Sequence, residues 1–329
     1  MERTPPSSKP TNIVSLSALL WPLAAIGLIG AGFFLNSYEM DLYRKLILWV
    51  SLAVGFNFLF GITGQIALSH FAFYGVGAYS VVILWFKLGL PLAFAVAGAV
   101  GICASLALLV AIPATRLHGF YLALVTLALA QLLIVMLRSG QDFTGGSGGI
   151  SGYKLPPILG VELTGPWYTA VIVLTFLGTL GLLVRLGRSH FGRACRAVRD
   201  NPEAAAAMGI DVARTKVVAF TLTGVLAGIA GIVFAFVDNT VNPSLFSIEN
   251  AFMLLFMVIV GGTGRHAGAI VGAVLLYIAN PILEPYIGAH TQLVFGLIVL
   301  GAILFQREGL IGLYDQASAI WQARRADGR

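Results

Sequence analysis

A short polar segment at residues 201–209 carries side chains suited to recognition and not to bond-making chemistry. Asn201 suits a helix N-cap, Pro202 the first helical position and Gly209 a left-handed helix end, so a short capped helix is predicted. Its body is mostly alanine. One acidic side chain, Glu203, is favoured by the helix dipole and is available to a partner's arginine. The segment predicts a docking helix for a soluble protein, although a connector on the membrane surface is the alternative.

Three arginines precede this segment. Arg193, Arg196 and Arg199 recur every three residues and therefore share one face of a helix. Guanidinium groups in such a row bind either lipid phosphates or the carboxylates of a partner protein. The spacing is consistent with both.

A second polar group, formed by Gln65, Ser69, His70 and Tyr74, accompanies the apolar run at 66–86. Polar side chains are costly inside a membrane and face a cavity or a neighbouring helix. The run predicts a helix, with Gln65, Ser69 and His70 near one face. They either line a solute pathway or make hydrogen bonds between helices.

A third segment, residues 144–149, is rich in glycine and includes Thr144, Gly145 and Gly146. Successive backbone amides in such a loop form concavities that bind carboxylates. A hinge, or a contact surface for an external binding protein, fits the same composition. We expect these residues on or near the solute pathway.

The apolar composition of the chain predicts that membrane-spanning helices position these groups. The chain has 329 residues, of which 58% are hydrophobic and only 10% charged, whereas soluble domains carry about 25% charged residues. A span needs about 20 apolar residues, so the chain has room for about eight to ten. The apolar runs lie near 13–35, 46–61, 66–86, 90–112, 119–138, 167–186, 217–237, 251–283 and 290–305. The fold class predicted is all-α, a polytopic transmembrane helix bundle.

The run at 251–283 is interrupted by glycines at 261, 262 and 264, which predicts a broken or re-entrant helix pair. Non-helical backbone at membrane depth must be buried in protein or line water, because lipid offers no hydrogen bonds. The alternative is a tight turn between two short tilted spans.

The charges predict an orientation. Seven of the twenty Lys and Arg residues lie between 185 and 216, and the acidic residues lie mainly at the other predicted face. Under the positive-inside rule, loop 187–216 and both chain termini are cytoplasmic, while the glycine-rich loop 139–166 is outside. The predicted organisation is a disordered cytoplasmic N-terminus at 1–12, a single transmembrane domain at 13–305 and a cytoplasmic tail at 306–329. The net charge of +6 is distributed as the positive-inside rule expects, so membrane lipid is the expected partner and no nucleic-acid partner is expected.

Small residues predict where helices approach closely. Gly224 and Gly228, with Gly231 nearby, and Gly268 and Gly272 recur at the spacing that lets helix backbones pack together. The two cysteines, Cys103 and Cys195, are far apart in sequence, so neither a disulfide framework nor a metal site is predicted.

The motifs at 192–210 (GRACRAVRDNPEAAAAMGI), 61–70 (GITGQIALSH), 73–79 (FYGVGAY) and 144–150 (TGGSGGI) occur in an order that resembles the permeases of branched-chain amino-acid (LIV-type) ABC importers. The resemblance extends through 227–231 and the glycine break at 261–264. It implies a bacterial inner-membrane importer made of two permeases, two ABC ATPases and an external substrate-binding protein.

The resemblance also implies roles for residues. The docking helix would couple to the ATPase, and the residues assigned to that coupling are Asn201, Glu203, Ala204, Ala205, Gly209, Arg196 and Arg199. The sequence has no G-x-x-x-x-G-K-[ST] phosphate loop. We therefore expect no cofactor on this chain and no enzymatic activity, with ATP and Mg²⁺ bound by the partner ATPase.

Two other classes of transporter remain as alternatives. A gradient-driven secondary transporter requires an ionisable residue in mid-span, and the apolar runs contain almost none. A passive channel for urea, amides or another small solute has no use for a capped cytoplasmic helix. Branched-chain amino acids are the substrate that the resemblance implies first, and related permeases carry urea, amides or small organic acids.

Overall fold

The computed structural model describes residues 35–117, 119–153 and 165–288, together with 27–30 and a few positions between 293 and 310. The helices of these parts are α1 (Ser37–Asn57), α2 (His70–Val82), α3 (Leu92–Ala114), α4 (Phe120–Ser139), α5 (Gln141–Thr144), α6 (Gly165–Arg188), α7 (His190–Asp200), α8 (Pro202–Ala207), α9 (Val212–Asp238), α10 (Ile248–Gly261) and α11 (His266–Ile287). Strands β1 (Ile150–Ser151) and β2 (Thr240–Val241) form a two-residue antiparallel pair. The predicted all-α class is confirmed.

Helix α2 forms the centre of the bundle, and all thirteen of its residues are buried. It packs mainly against α9 and α3, while α1 packs against α6, α11, α9 and α10. Five helical segments are long and apolar enough to cross a membrane in the described parts of the chain, and α10 and α11 contain shorter apolar stretches. The apolar surface of these helices is stable in contact with lipid and not with water.

Glycines allow α9 to approach α2 closely. A Cβ atom on Gly231 would lie 1.9 Å from the Tyr74 carbonyl oxygen, and one on Gly77 would lie 2.1 Å from the Gly228 carbonyl oxygen. On its other side α9 meets α3, where a Cβ on Gly228 would lie 2.5 Å from Cys103 Sγ and one on Gly224 would lie 2.9 Å from the Cβ of Ala107.

Helices α10 and α11 form a second close pair. A Cβ on Gly272 would lie 2.0 Å from the Met257 carbonyl oxygen, and one on Gly268 would lie 2.4 Å from that of Gly262. The break between these helices, at 262–265, falls where the glycines of the 251–283 run predict it.

The ends of the helices form two groups, which we call the basic end and the opposite end. The basic end contains α7, α8, the start of α9 and the breaks at 63–69 and 262–265. The opposite end contains the β1–β2 pair, the glycine-rich segment and the salt bridge between Lys45 and Asp238 at 2.7 Å.

Three of the basic residues at the opposite end, Lys45, Arg44 and Lys87, are paired within the chain. Besides Lys45, Arg44 lies 3.3 Å from Asp41, and the Lys87 ammonium donates to the Asp142 carbonyl at 2.5 Å. These residues depart from the predicted charge segregation, and their own neighbours accept their hydrogen bonds.

Several predicted segments fall outside the described residues. They are the N-terminus at 1–12, most of the 13–35 and 290–305 runs, nearly all of the tail at 306–329, and residues 154–164 of the loop at 139–166. Within the described part, loop 187–216 contains helices α7 and α8 and the first turn of α9.

Candidate functional site

The segment at 189–211 folds as two short helices joined at Asn201. Ser189 Oγ caps α7 by accepting from the Gly192 amide at 3.4 Å. Asn201 ends α7 and begins α8, and its Oδ1 accepts from the amides of Glu203 and Ala204, both at 3.0 Å. The structure thus shows the cap that the sequence predicts at this position.

Helix α8 is exposed over most of its surface. Ala205 is buried and holds it against the bundle, while Glu203, Ala204, Ala206 and Ala207 are exposed. Gly209 follows in the left-handed region, at φ +83°. Beside it, 84% of the Met208 side chain is exposed. Small side chains around a flexible apolar one form a surface that a partner's groove can accept.

The arginine row on α7 has acceptors within the chain. Arg193 Nη1 donates to the Arg188 carbonyl at 3.3 Å, and Arg196 Nη1 donates to the Gly187 carbonyl at 2.9 Å. Arg199 Nη1 donates to the Gly61 carbonyl. The three arginines share one face of α7, as predicted. Their acceptors are backbone carbonyls at helix ends, however, whereas the sequence suggested lipid phosphates or the carboxylates of a partner protein.

The other face of α7 is buried, through Gly192, Cys195 and Val198. Burial raises the pKa of the Cys195 thiol, because the thiolate is disfavoured away from water. This thiol is therefore a packing group at neutral pH.

Arg199 lies where both helix breaks meet. Asn57 Oδ1, at the end of α1, accepts from the Gly264 amide at 2.8 Å. A Cβ on Gly264 would lie 3.2 Å from Arg199 Nη1, and one on Gly64 would lie 2.9 Å from Arg199 Cγ. The break after α1, the α10–α11 break and α7 are thus in direct contact at one point.

The prediction of a continuous helix through Gln65, Ser69 and His70 is wrong. Backbone at 63–69 is not helical, and α2 begins only at His70. Tertiary hydrogen bonds replace the missing helical ones: Gln65 Nε2 donates to the Lys216 carbonyl at 3.2 Å, and the Leu68 amide donates to Thr126 Oγ1 at 3.0 Å. These polar residues therefore do not form one helix face.

The remaining members of this set are buried in different surroundings. Ser69 Oγ and His70 Nε2 have no hydrogen-bond partner among the described residues, and the His70 ring meets Phe56 edge-on at 5.3 Å between centroids. The Tyr74 ring packs against Phe234 and Phe246 at 5.3 Å and 5.6 Å.

The glycine-rich segment is packed closely on itself and on its neighbour. The Thr144 hydroxyl lies 2.5 Å from the Leu137 carbonyl oxygen. A Cβ on Gly145 would lie 1.9 Å from the Gly149 carbonyl, and one on Gly149 would lie 2.1 Å from that of Val241. Gly146 also has positive φ, at +60°. This geometry ties α4 to the β2 segment.

One further polar residue, Gln131 on α4, was not among the residues predicted to lie on the solute pathway. Its side chain is exposed and makes no hydrogen bond within the described residues, and it lies about 2 Å along the axis from the midpoint of this 20-residue helix. An amide at that depth is unfavourable against lipid and favourable against a polar cavity. The signal was present in the sequence as the only amide within the run at 119–138.

Comparison with known proteins is consistent with this architecture. Residues 40–306 match the family model described as "Branched-chain amino acid transport system / permease component". The high-affinity branched-chain amino acid transport system permease proteins LivM of Salmonella typhimurium and Escherichia coli are 29% and 28% identical, over 89% of this chain and 72% of each relative. The autoinducer 2 import system permease protein LsrC of Yersinia pestis is 28% identical over 88% of this chain and 83% of the relative. No solved structure matches the chain.

Proposed function

The chain belongs to the permease family of branched-chain amino acid transport systems, and on that premise we propose that it is the membrane-spanning subunit of an ATP-driven ABC importer. In this proposal a second permease completes the pathway. Two ATPase subunits bind the basic end, and an external binding protein delivers substrate to the opposite end. In this proposal the basic end is cytoplasmic, which the concentration of arginines there supports.

The observation that carries this proposal is the exposed helix α8. Its N-terminus is capped by Asn201, its C-terminus ends at a left-handed glycine, and Met208 beside it is largely exposed. A structural connector has no need of a regular helix with an unpartnered apolar side chain. A groove on an ATPase subunit would cover that side chain and place a cation against Glu203.

The solute pathway in this proposal follows the open face of α4. That face presents Gln131 near mid-membrane, with the small exposed residue Ala128 one turn before it. Water or a polar solute satisfies the amide, whereas lipid does not. Branched-chain amino acids are the substrate class we favour, since the LivM relatives are named for them. A related small polar solute is the second possibility.

Charge reversal on α8 tests the docking. The variant Glu203→Arg places a cation where a partner's cation is expected, so we expect at least a tenfold loss of ATPase subunit co-purified with the permease. The matched control is Glu249→Arg, because Glu249 is also an exposed glutamate in the first turn of a helix, α10, but lies at the opposite end. Control and wild type should retain the ATPase equally.

Retention of the ATPase by Glu203→Arg, with uptake at the wild-type rate, would contradict docking at α8. A passive channel or a gradient-driven carrier would be indicated if the purified chain moved solute without nucleotide.

A further inference from the structure

We infer that Arg199 transmits movement of the docking helix to the two breaks in the membrane-spanning helices, as a positioning residue that acts through its contacts with Gly61 and Gly264. The inference rests on the proposed function, since the movement is supplied by an ATPase bound to α8. It assigns Arg199 an inward role, distinct from contact with the ATPase itself.

The first step is the position of Arg199, which lies between helix α8 and the two breaks at 63–69 and 262–265. It is the next-to-last residue of α7, two residues before the Asn201 cap of α8. Its guanidinium donates to the Gly61 carbonyl, in the π-helical turn Phe58–Ile62 that ends α1. A charge-assisted hydrogen bond of this kind is stronger than one between neutral groups.

The second step is the tightness of the junction. A Cβ on Gly61 would lie 2.2 Å from the Gly264 amide nitrogen and 2.5 Å from Asn57 Oδ1. A Cβ on Gly64 would lie 2.9 Å from Arg199 Cγ. Gly61 is thus packed directly against Gly264 and Asn57, and Arg199 lies against both breaks, so it is the side chain through which α7 contacts the two segments of backbone.

The third step is what the two breaks control. The segment 63–69 separates α1 from α2, and the segment 262–265 separates α10 from α11. The Asn57 side chain bonds one break to the other, at 2.8 Å from the Gly264 amide. A displacement at Arg199 therefore reaches the ends of four helices, including the central helix α2. Helix ends outside regular hydrogen bonding are where a small rigid-body shift is least costly.

The neighbouring arginines supply matched controls. Arg193 and Arg196 share the exposed face of α7 with Arg199, but they donate to the carbonyls of Arg188 and Gly187, at the end of α6. Arg193 is the better control, because a Cβ on Gly187, the acceptor of Arg196, would lie 3.9 Å from His266 Nε2 and 4.0 Å from Ile62 Cδ1, beside the two breaks. An effect of removing the guanidinium that is specific to Arg199 would reflect the contact with Gly61 and not the loss of surface charge.

The test compares Arg199→Met with Arg193→Met in the complete complex, reconstituted in proteoliposomes with the ATPase and binding protein. We expect Arg193→Met to retain the ATPase and its hydrolysis rate within twofold of wild type, and transport by each variant is expressed per ATP hydrolysed by the assembled complex. Substrate moved per ATP hydrolysed should fall at least tenfold in Arg199→Met and stay within twofold in Arg193→Met. Equal transport per ATP in the two variants would overturn the inference.

A distance measurement gives an independent readout. Spin labels at Asp200→Cys, the last residue of α7 beside α8, and at Thr263→Cys in the α10–α11 break occupy exposed positions at the basic end. With Arg199 present, their separation should be the same in the nucleotide-free and the vanadate-trapped complex, because the two segments move together. With Arg199→Met the separation should change by several ångströms between those states, and an unchanged separation would overturn the inference.

Two outcomes remain to be separated. If the wild-type complex shows no ATP-dependent uptake, the proposed function itself fails. If Arg199→Met does not assemble, the comparison passes to Arg199→Lys and Arg193→Lys, which keep the charge but replace the planar guanidinium by a shorter ammonium group. A larger loss of transport per ATP at position 199 supports the inference, and equal losses overturn it.

Discussion

The close crossing of α2 and α9 makes the substitution Gly231→Ala a sharp test of the fold. The added Cβ would lie 1.9 Å from the Tyr74 carbonyl oxygen, whereas ordinary contacts begin at 3.4 Å. The obstacle is backbone in the centre of a buried helix, so no side-chain rotation relieves it. The two helices must separate by about 1.5 Å at that point.

The expected cost follows from what the separation disrupts. Overpacking a well-packed core by one or a few methyl groups costs about 1–3 kcal/mol, and more where backbone must shift. Separation also weakens the neighbouring close contact, at which a Cβ on Gly77 would lie 2.1 Å from the Gly228 carbonyl oxygen. A gap of 0.5–1 Å already forfeits a quarter to a half of each dispersion contact. We therefore expect Gly231→Ala to cost about 3 kcal/mol or more.

The assay is thermal unfolding of the detergent-purified protein, with Gly101→Ala as control. Gly101 lies within α3, is exposed, and has nothing within 4 Å of its ideal Cβ position. Alanine there removes the helix-destabilising flexibility of glycine, which is worth up to about 1 kcal/mol. We expect a clearly lower melting temperature for Gly231→Ala and an unchanged or slightly higher one for Gly101→Ala. Equal melting temperatures would refute the close crossing.

Three further outcomes are expected. Gln131→Leu should lower uptake at least threefold, because the solute pathway loses a polar group. The melting temperature should not fall, since the bundle loses no internal hydrogen bond. Unchanged uptake would indicate that this face of α4 lies against lipid. Asn201→Ala should weaken ATPase binding about fivefold, since an N-cap is worth about 1 kcal/mol, and co-purification titrations that match wild type would show the cap to be dispensable. Burial raises the pKa of the Cys195 thiol, so at pH 7–8 it should react with maleimide at least tenfold more slowly than a cysteine introduced by Ala206→Cys. Its reaction should become faster as the pH rises. Comparable rates at pH 7 would contradict the burial of Cys195.

Local signals were sufficient to predict the short capped helix α8. Asn201, Pro202 and Gly209 each act within one turn of the backbone, and the structure shows all three in the expected positions. The division of the 251–283 run was equally readable, because glycines at 262 and 264 adopt positive φ there.

The break at 63–69 was not readable from the sequence, because its cause is tertiary. The residues from Ile66 onward continue an apolar run, and periodicity alone favours a helix there. What stabilises the irregular backbone are distant partners, Thr126 for the Leu68 amide and Lys216 for the Gln65 side chain. The acceptors of Arg196 and Arg199 could not be predicted for the same reason, since a carbonyl becomes available only where a helix ends.

The most direct measurement is solute uptake by proteoliposomes that contain the wild-type chain with its second permease and ATPase subunits, with the binding protein supplied outside. We predict uptake of a branched-chain amino acid or related small polar solute that requires ATP inside the vesicles and ceases when the ATPase subunits are omitted. Uptake at the same rate without nucleotide, or by the permease chains alone, would contradict an importer driven through α8.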